Sequence, residues 1–183
     1  MEDFCVLSGR TSDYKYSGSY ETGAKIVSLF TRDQSQVERY WRYVLFSCMV
    51  GNGDAHLKNF SLLYEADGEP APTLSPLYDV VNTHMYPTTD NELALKMNKS
   101  KAFPDRDALI KFGRELKIIN PARGLDEFAD VINDQLGNQT LFSEFPELHK
   151  SISSALTWSG ARNNVFLKTD VKRPKKRKTD SLL

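Results

Sequence analysis

The chain has 183 residues, 40% of them apolar, which is enough to bury one hydrophobic core and predicts one globular domain. Its formal net charge is zero, no apolar run reaches membrane-spanning length, and the first residues do not form a signal peptide. Two cysteines, Cys5 and Cys48, are too few for a disulfide framework. We therefore expect a reducing, cytoplasmic compartment and no membrane partner.

The balanced charge conceals an uneven distribution. The segment 172–178 holds six of the 24 basic residues, so residues 1–171 keep 18 basic against 23 acidic side chains, a net charge of −5. We expect residues 166–183 to be a basic, disordered tail behind a domain at 1–165. Such a tail is a solvated terminus without a specific role, a contact for an anionic partner such as nucleic acid, or a nuclear-import-like address.

Apolar residues recur at helical spacing over most of the chain. This period predicts helices at 23–30, 35–50, 106–118, 121–136 and 146–163. Gly51-Asn52-Gly53 ends the second helix, because these residues tolerate positive φ where others do not. Asn120 before Pro121 favours a helix start, with asparagine as the cap and proline in the first position.

Predicted strands are few and short. Residues 60–64 and 73–77 form a predicted hairpin with Asp67-Gly68 in its turn, and 93–97 is a further strand. The hairpin brings Asp79 back beside Asn59. The predicted fold class is thus α+β: mainly α, with a short β-hairpin inserted between helices.

Oxygen-bearing side chains gather in the loop after the second helix. Asp54 and Asn59 lie five residues apart within 53–61, and Asp79 follows the hairpin. Phosphoryl transfer needs a carboxylate that takes the hydroxyl proton and oxygen ligands that hold Mg²⁺ against the phosphates. Protein kinases use the same Asp-to-Asn interval in their catalytic loop. Asp54 is therefore the candidate proton acceptor, and Asn59 and Asp79 are the candidate metal ligands.

Two neighbours in the loop are candidates for nucleotide contacts. Lys58 would meet a phosphate oxygen as a point charge, and His56 would contact the nucleotide or orient Asp54. Each candidate also has an ordinary structural interpretation, such as a turn aspartate, a turn-forming asparagine, an exposed lysine or a packed histidine. The combination of these residues, rather than any one of them, indicates a site.

The loop Gly53-Asp-Ala-His-Leu-Lys-Asn-Phe-Ser61 and the segment Leu74-Ser-Pro-Leu-Tyr-Asp-Val80 resemble motifs of the HipA-like serine/threonine kinases, which are bacterial toxins of toxin–antitoxin systems. Three shorter stretches also resemble the family at corresponding places: Glu2-Asp-Phe-Cys5, Lys15-Tyr16 and Glu92-Leu-Ala-Leu-Lys96. The resemblance covers roughly residues 1–165. It implies a HipA-like C-terminal domain, which is a kinase C-lobe-like helical domain.

The same resemblance implies a function and residue roles. The activity would be transfer of phosphate from ATP, with Mg²⁺, to a serine or threonine of a translation factor, typically an aminoacyl-tRNA synthetase. By position, Asp54 matches the proton acceptor of the family. His56 through Asn59 match nucleotide and metal contacts, and Tyr78-Asp79 matches the second metal motif.

The chain departs from the family pattern in one respect. Family members have an upstream lobe with a phosphate-covering loop, a phosphate-binding lysine and an adenine hinge, and Ser17-Gly-Ser19 lacks the strand context of such a loop. We expect the chain to need an N-terminal lobe from another chain, with weak ATP binding and negligible turnover without it. An antitoxin, and DNA through the antitoxin complex, are the other expected partners.

Other functions stay open at this point. A catalytically inactive, truncated kinase fragment would act as an antitoxin- or protein-binding module. A metal-dependent phosphoesterase is suggested by Asp54-Ala-His56, although two-metal hydrolases use more histidines than the three present. A DNA-binding protein driven by the basic tail would lack a recognisable groove-reading motif.

Overall fold

The computed structural model describes residues 1–65, 71–86 and 91–158. The helices in these ranges are α1 Phe4–Leu7, α2 Tyr20–Thr31, α3 Gln34–Met49, α4 Arg106–Glu115, α5 Pro121–Leu136, α6 Gln139–Phe142 and α7 Pro146–Trp158. The strands are β1 Glu2–Asp3, β2 Ser61–Leu63, β3 Thr73–Leu74, β4 Glu92–Met97 and β5 Ser100–Ala102. Helices predominate and the strands pair in small antiparallel sheets, so the predicted α+β fold class is confirmed.

Three of the predicted features lie outside the described residues. They are the hairpin turn at Asp67-Gly68, the end of the last helix at 159–163, and the basic tail at 166–183. The boundary between domain and tail therefore stays a prediction.

Side-chain caps set where the helices begin and end. Ser19 accepts a hydrogen bond from the Thr22 N–H at 3.2 Å, so α2 begins at residue 20 rather than at the predicted 23. Asn120 caps α5 with Pro121 in its first turn, and Gly137 follows its last residue, as predicted. No helix in the described part of the chain is long and apolar enough to cross a bilayer.

The first sheet contains the predicted hairpin. Leu62 of β2 lies opposite Leu74 of β3 on one side and Glu2 of β1 on the other. The two hairpin strands are shorter than the predicted 60–64 and 73–77. Strand β1 was missed, because two residues are too few to show a period.

The second sheet pairs the predicted strand β4 with β5, which was not predicted. Asn98 and Lys99 join them with positive φ angles of 49° and 69°, which is the backbone of a two-residue type I′ turn. Lysine is not a residue that marks such a turn in a sequence, so the hairpin was not recognised. Within 1–65, 71–86 and 91–158 there are thus two hairpins where one was predicted.

One hydrophobic core joins the helices to both sheets. Beneath the candidate loop it contains an aromatic cluster in which Tyr40 lies 5.7 Å from Phe4 and 5.0 Å from Phe60, measured between ring centroids. Phe60 directly follows Asn59 in sequence, so this cluster fixes the C-terminal end of the loop. Cys48 is a core residue as predicted, and burial raises the pKa of its thiol to about 12.

Candidate active site

The candidate loop begins at a tight turn after α3. Gly51 has φ 75°, and the buried Asn52 accepts the Asp54 N–H through its side-chain oxygen at 3.0 Å. A Cβ on Gly53 would lie 2.6 Å from the main-chain oxygen of Glu92, closer than two such atoms can approach. Glycine is therefore required at 53, where the loop packs directly against β4.

The segment after Asp79 returns to hold this turn. Asn82 donates to the Val50 oxygen at 2.7 Å, and the Thr83 N–H donates to the Gly51 oxygen at 2.9 Å. The Gly53 N–H in turn donates to the Thr83 hydroxyl oxygen at 2.9 Å. The start of the loop is thus fixed by residues about 30 positions further along the chain.

A run of three buried side chains, at positions 55–57, orients the rest of the loop. Ala55 and Leu57 are buried, and the Ala55 oxygen accepts the hydroxyl of the buried Tyr20 at 3.1 Å. Asp54 and Lys58, one position before and one position after these anchors, are only half-buried. Two apolar anchors therefore leave the candidate carboxylate and ammonium groups accessible to solvent.

Asn59 joins the loop to the segment after the hairpin. Its amide nitrogen donates to Asp79 Oδ2 at 2.8 Å, and its amide oxygen accepts the His56 N–H at 2.9 Å. Asn59 is 4% exposed and its bond to the His56 N–H is buried, whereas its bond to the exposed Asp79 is only partly shielded from water. The structure thus places next to each other the two side chains that were predicted from the sequence to be candidate metal ligands.

Asp79 has an unusual backbone conformation. Its φ is 55°, in the left-handed region that residues other than glycine adopt rarely, and its side chain is exposed. Backbone strain of this kind concentrates at functional sites. Carboxylate and amide oxygens are ligand types that Mg²⁺ takes in proteins, so Asp79 and Asn59 are the residues here that could hold such an ion. The described residues contain no group of three or more His, Cys, Asp or Glu side chains placed to hold a metal.

Tyr78 binds the hairpin to the loop. Its hydroxyl donates to the Lys58 main-chain oxygen at 2.7 Å and lies 2.5 Å from the Ser61 hydroxyl. Burial raises the pKa of the Tyr78 phenol. The side chain is therefore a neutral bridge between the two motifs, and it fixes the position of its neighbour Asp79.

Lys58 and His56 point to the segment before α2. Lys58 Nζ lies 3.3 Å from the Ser12 hydroxyl, and the His56 ring meets the edge of Tyr16 with 5.1 Å between centroids. Burial, followed by the charge of Lys15, lowers the pKa of His56, so its imidazole is neutral at pH 7. A neutral, 6%-exposed ring is suited to packing against a nucleotide or a loop side chain rather than to balancing charge.

Asp54 is contacted by a residue that was not among the candidates. The Tyr16 hydroxyl donates to Asp54 Oδ1 at 2.9 Å. Lys15-Tyr16 stood out in the sequence only as a stretch that resembles the family. Asn82 and Thr83 were also missed, because polar loop residues give no signal for contacts made across 30 or more positions.

We expect Asn59→Ala to destabilise the domain by about 1–3 kcal/mol, because it removes the hydrogen bond to the Asp79 carboxylate and one of the two acceptors of the His56 N–H, the other being the Asp54 main-chain oxygen. Urea unfolding measures the loss, with the exposed Asn91→Ala as the matched control. A loss below about 0.5 kcal/mol, typical of surface substitutions, would show that the Asn59 bridge does not hold the loop.

Known structures share this architecture. The HipA structure in a complex of HipA, HipB and operator DNA from Shewanella oneidensis MR-1 superposes with a TM-score of 0.72 at 20% identity, over 86% of this chain and 42% of that chain. At this identity the likeness shows the fold alone.

The model of the HipA-like C-terminal domain family matches residues 1–139, and the chain belongs to this family. Among curated relatives, "Putative kinase Y4dM" of Sinorhizobium fredii is 36% identical over 102 residues, which are 55% of this chain and 24% of the relative. The serine/threonine-protein kinase toxin HipA of Shewanella oneidensis is 28% identical over 112 residues, 52% of this chain and 25% of the relative. The chain therefore spans about a quarter of the length of these relatives.

Proposed function

We propose that this chain is the C-terminal lobe of a serine/threonine-protein kinase that transfers phosphate from Mg²⁺-ATP to a protein hydroxyl. The observation that carries the proposal is the 2.8 Å hydrogen bond between Asn59 and Asp79, which gathers the two oxygen-bearing side chains of separate motifs. Asp54, five residues before Asn59 on the same loop, is the proton acceptor. His56, Lys58 and Tyr78 complete the nucleotide side of the site.

The roles follow from how each side chain is held. The hydrogen bond from Asn59 engages Oδ2 of Asp79, so we assign Oδ1 to the metal. A metal ion held there would supply charge neutralisation on the phosphates. Asp54 is half-buried at the open side of the loop, where a substrate hydroxyl can reach its carboxylate and pass its proton to it. Lys58 is also half-buried, and we assign its charge to a phosphate oxygen.

The comparisons support a kinase, and each match covers only part of a longer relative. The relatives are named as kinases, and the chain spans about a quarter of their length. We propose that an N-terminal lobe supplies the phosphate-covering loop, its lysine and the adenine hinge. By analogy with the HipA–HipB–operator DNA complex, an antitoxin and, through it, DNA are the proposed partners. The proposed acceptor is a serine or threonine of a translation factor such as an aminoacyl-tRNA synthetase.

Reconstitution tests this function. The chain is mixed with the N-terminal lobe of a HipA-like kinase and Mg²⁺-ATP, and transfer of labelled phosphate to protein is followed. We expect transfer that requires Asp54. A folded chain that transfers no phosphate in any pairing would contradict the proposal and favour an inactive module that binds an antitoxin or another protein.

We expect Asp79→Ala to lower the magnesium-dependent affinity for nucleotide about 100-fold. Loss of even an outer partner of a metal ligand lowers metal affinity 10- to 100-fold. Calorimetric titration of the reconstituted complex with ATP, with and without Mg²⁺, measures the effect. Asp130→Ala, which removes an exposed carboxylate on α5, is the control. If Asp79→Ala bound ATP in the presence of Mg²⁺ as tightly as the unmodified chain, Asp79 would not be a metal ligand.

A further inference from the structure

The segment between α1 and α2 is attached to the candidate loop at several points. The Leu57 N–H donates to the Lys15 oxygen at 3.1 Å, next to Tyr16. The Tyr16 ring packs edge-on against the His56 ring, and Lys15 Nζ lies 4.8 Å from the centre of the Tyr16 ring. These contacts hold the phenol in one place although Tyr16 is 45% exposed.

The position of the phenol has one direct consequence for Asp54. The Tyr16 hydroxyl donates to Oδ1 of this carboxylate at 2.9 Å, which restricts rotation about both side-chain bonds of Asp54. The Asp54 N–H is also bound, to the Asn52 side-chain oxygen at 3.0 Å, so backbone and side chain are both fixed. With Oδ1 engaged, Oδ2 is the oxygen left to meet a substrate.

We propose that Tyr16 is the positioning residue of the site: it holds Asp54 Oδ1 so that Oδ2 faces the acceptor hydroxyl. The assignment rests on the proposed function only for the role of Asp54 as proton acceptor. A base must lie within about 2.6–3.2 Å of the proton that it takes, and a 1 Å displacement costs about 100-fold in rate. A donor that fixes one carboxylate oxygen therefore acts on the rate without touching the substrate.

The test compares Tyr16→Phe with Tyr14→Phe, a matched loss of one hydroxyl from an exposed tyrosine of the same segment. In the reconstituted complex with Mg²⁺-ATP and a mixture of serine- and threonine-containing peptides, we expect Tyr16→Phe to lower kcat about tenfold. This tenfold loss of kcat is smaller than the 10²- to 10⁴-fold that a positioned base contributes to the rate. KM for ATP should stay unchanged, and Tyr14→Phe should match the unmodified chain.

A double-mutant cycle separates positioning from a structural role. If Tyr16 acts through Asp54, Tyr16→Phe has no further effect once Asp54 is replaced by alanine. If Tyr16→Phe lowered kcat by the same factor in the chain with Asp54 and in the Asp54→Ala variant, the proposal would be overturned. Tyr16 would then have a role that does not depend on Asp54. A faster rate in Tyr16→Phe would overturn it too, since the phenol would then obstruct the acceptor.

A second readout does not depend on activity. NMR coupling constants report the side-chain rotamer of Asp54 in the chain alone. We expect one rotamer in the unmodified chain and in Tyr14→Phe, and averaging over several in Tyr16→Phe. A single rotamer retained in Tyr16→Phe would overturn the positioning role. Absence of transfer from the unmodified chain in every pairing would instead count against the proposed function, so the two failures are distinguishable.

Discussion

Asp54→Asn is expected to lower phosphoryl transfer by about 10²- to 10⁴-fold while the domain stays folded and binds nucleotide. Asparagine keeps the shape of the side chain, and its amide oxygen can still accept the hydroxyl of Tyr16, which lies 2.9 Å from Asp54 Oδ1. What is lost is the carboxylate proposed to take the proton of the attacking hydroxyl. Transfer of labelled phosphate and calorimetric nucleotide affinity are measured on the same reconstituted complex.

The control for this substitution is Asp134→Asn, an isosteric change at an exposed position of α5. It should leave both rate and affinity unchanged. Transfer by Asp54→Asn at the rate of the unmodified chain would show that another group takes the proton. A fall in nucleotide affinity as large as the fall in rate would instead make Asp54 a nucleotide ligand.

The second large effect is on stability. Trp41→Ala is expected to cost about 3–5 kcal/mol of unfolding free energy. The indole is 1% exposed and lies between α3, α4 and α5, close to Gly113 and Gly124. A Cβ added at these glycines would come within 3.0 Å and 2.9 Å of indole atoms, so the helices are packed tightly around the ring. Its removal leaves a cavity that such rigid neighbours fill poorly.

Urea unfolding measures this cost, with Val131→Ala as the control because its side chain is 63% exposed. The control should change stability by about 0.5 kcal/mol or less. A loss below about 1 kcal/mol for Trp41→Ala would mean that α4 and α5 do not depend on this ring for their attachment to α3.

The helical part of the fold could be predicted because its signals are local. Apolar spacing located α3, α4 and α5, and Asn120-Pro121 located the start of α5. A helix began earlier than predicted where its capping residue lay outside the apolar pattern, as Ser19 does for α2. The interval between Asp54 and Asn59, followed by the predicted hairpin, also led to the prediction that Asp79 lies beside Asn59, as it does in the structure.

The rest of the fold and site depends on contacts that no local pattern contains. Strand β1 exists because Glu2 pairs with Leu62, 60 positions away. The Tyr16–Asp54 hydrogen bond spans 38 positions, and the bond between Thr83 and Gly53 spans 30. Such contacts depend on the packed core, so the groups that orient a predicted site are harder to find than the groups that form it.

The most direct test of the site is a crystal structure of the chain, in complex with the proposed N-terminal lobe, bound to Mg²⁺ and a non-hydrolysable ATP analogue. We expect the metal at about 2.0–2.1 Å from oxygens of Asn59 and Asp79, with the terminal phosphate facing Asp54. A magnesium–nucleotide bound elsewhere, with the hydrogen bond between Asn59 and Asp79 unchanged and neither side chain on the metal, would contradict the account.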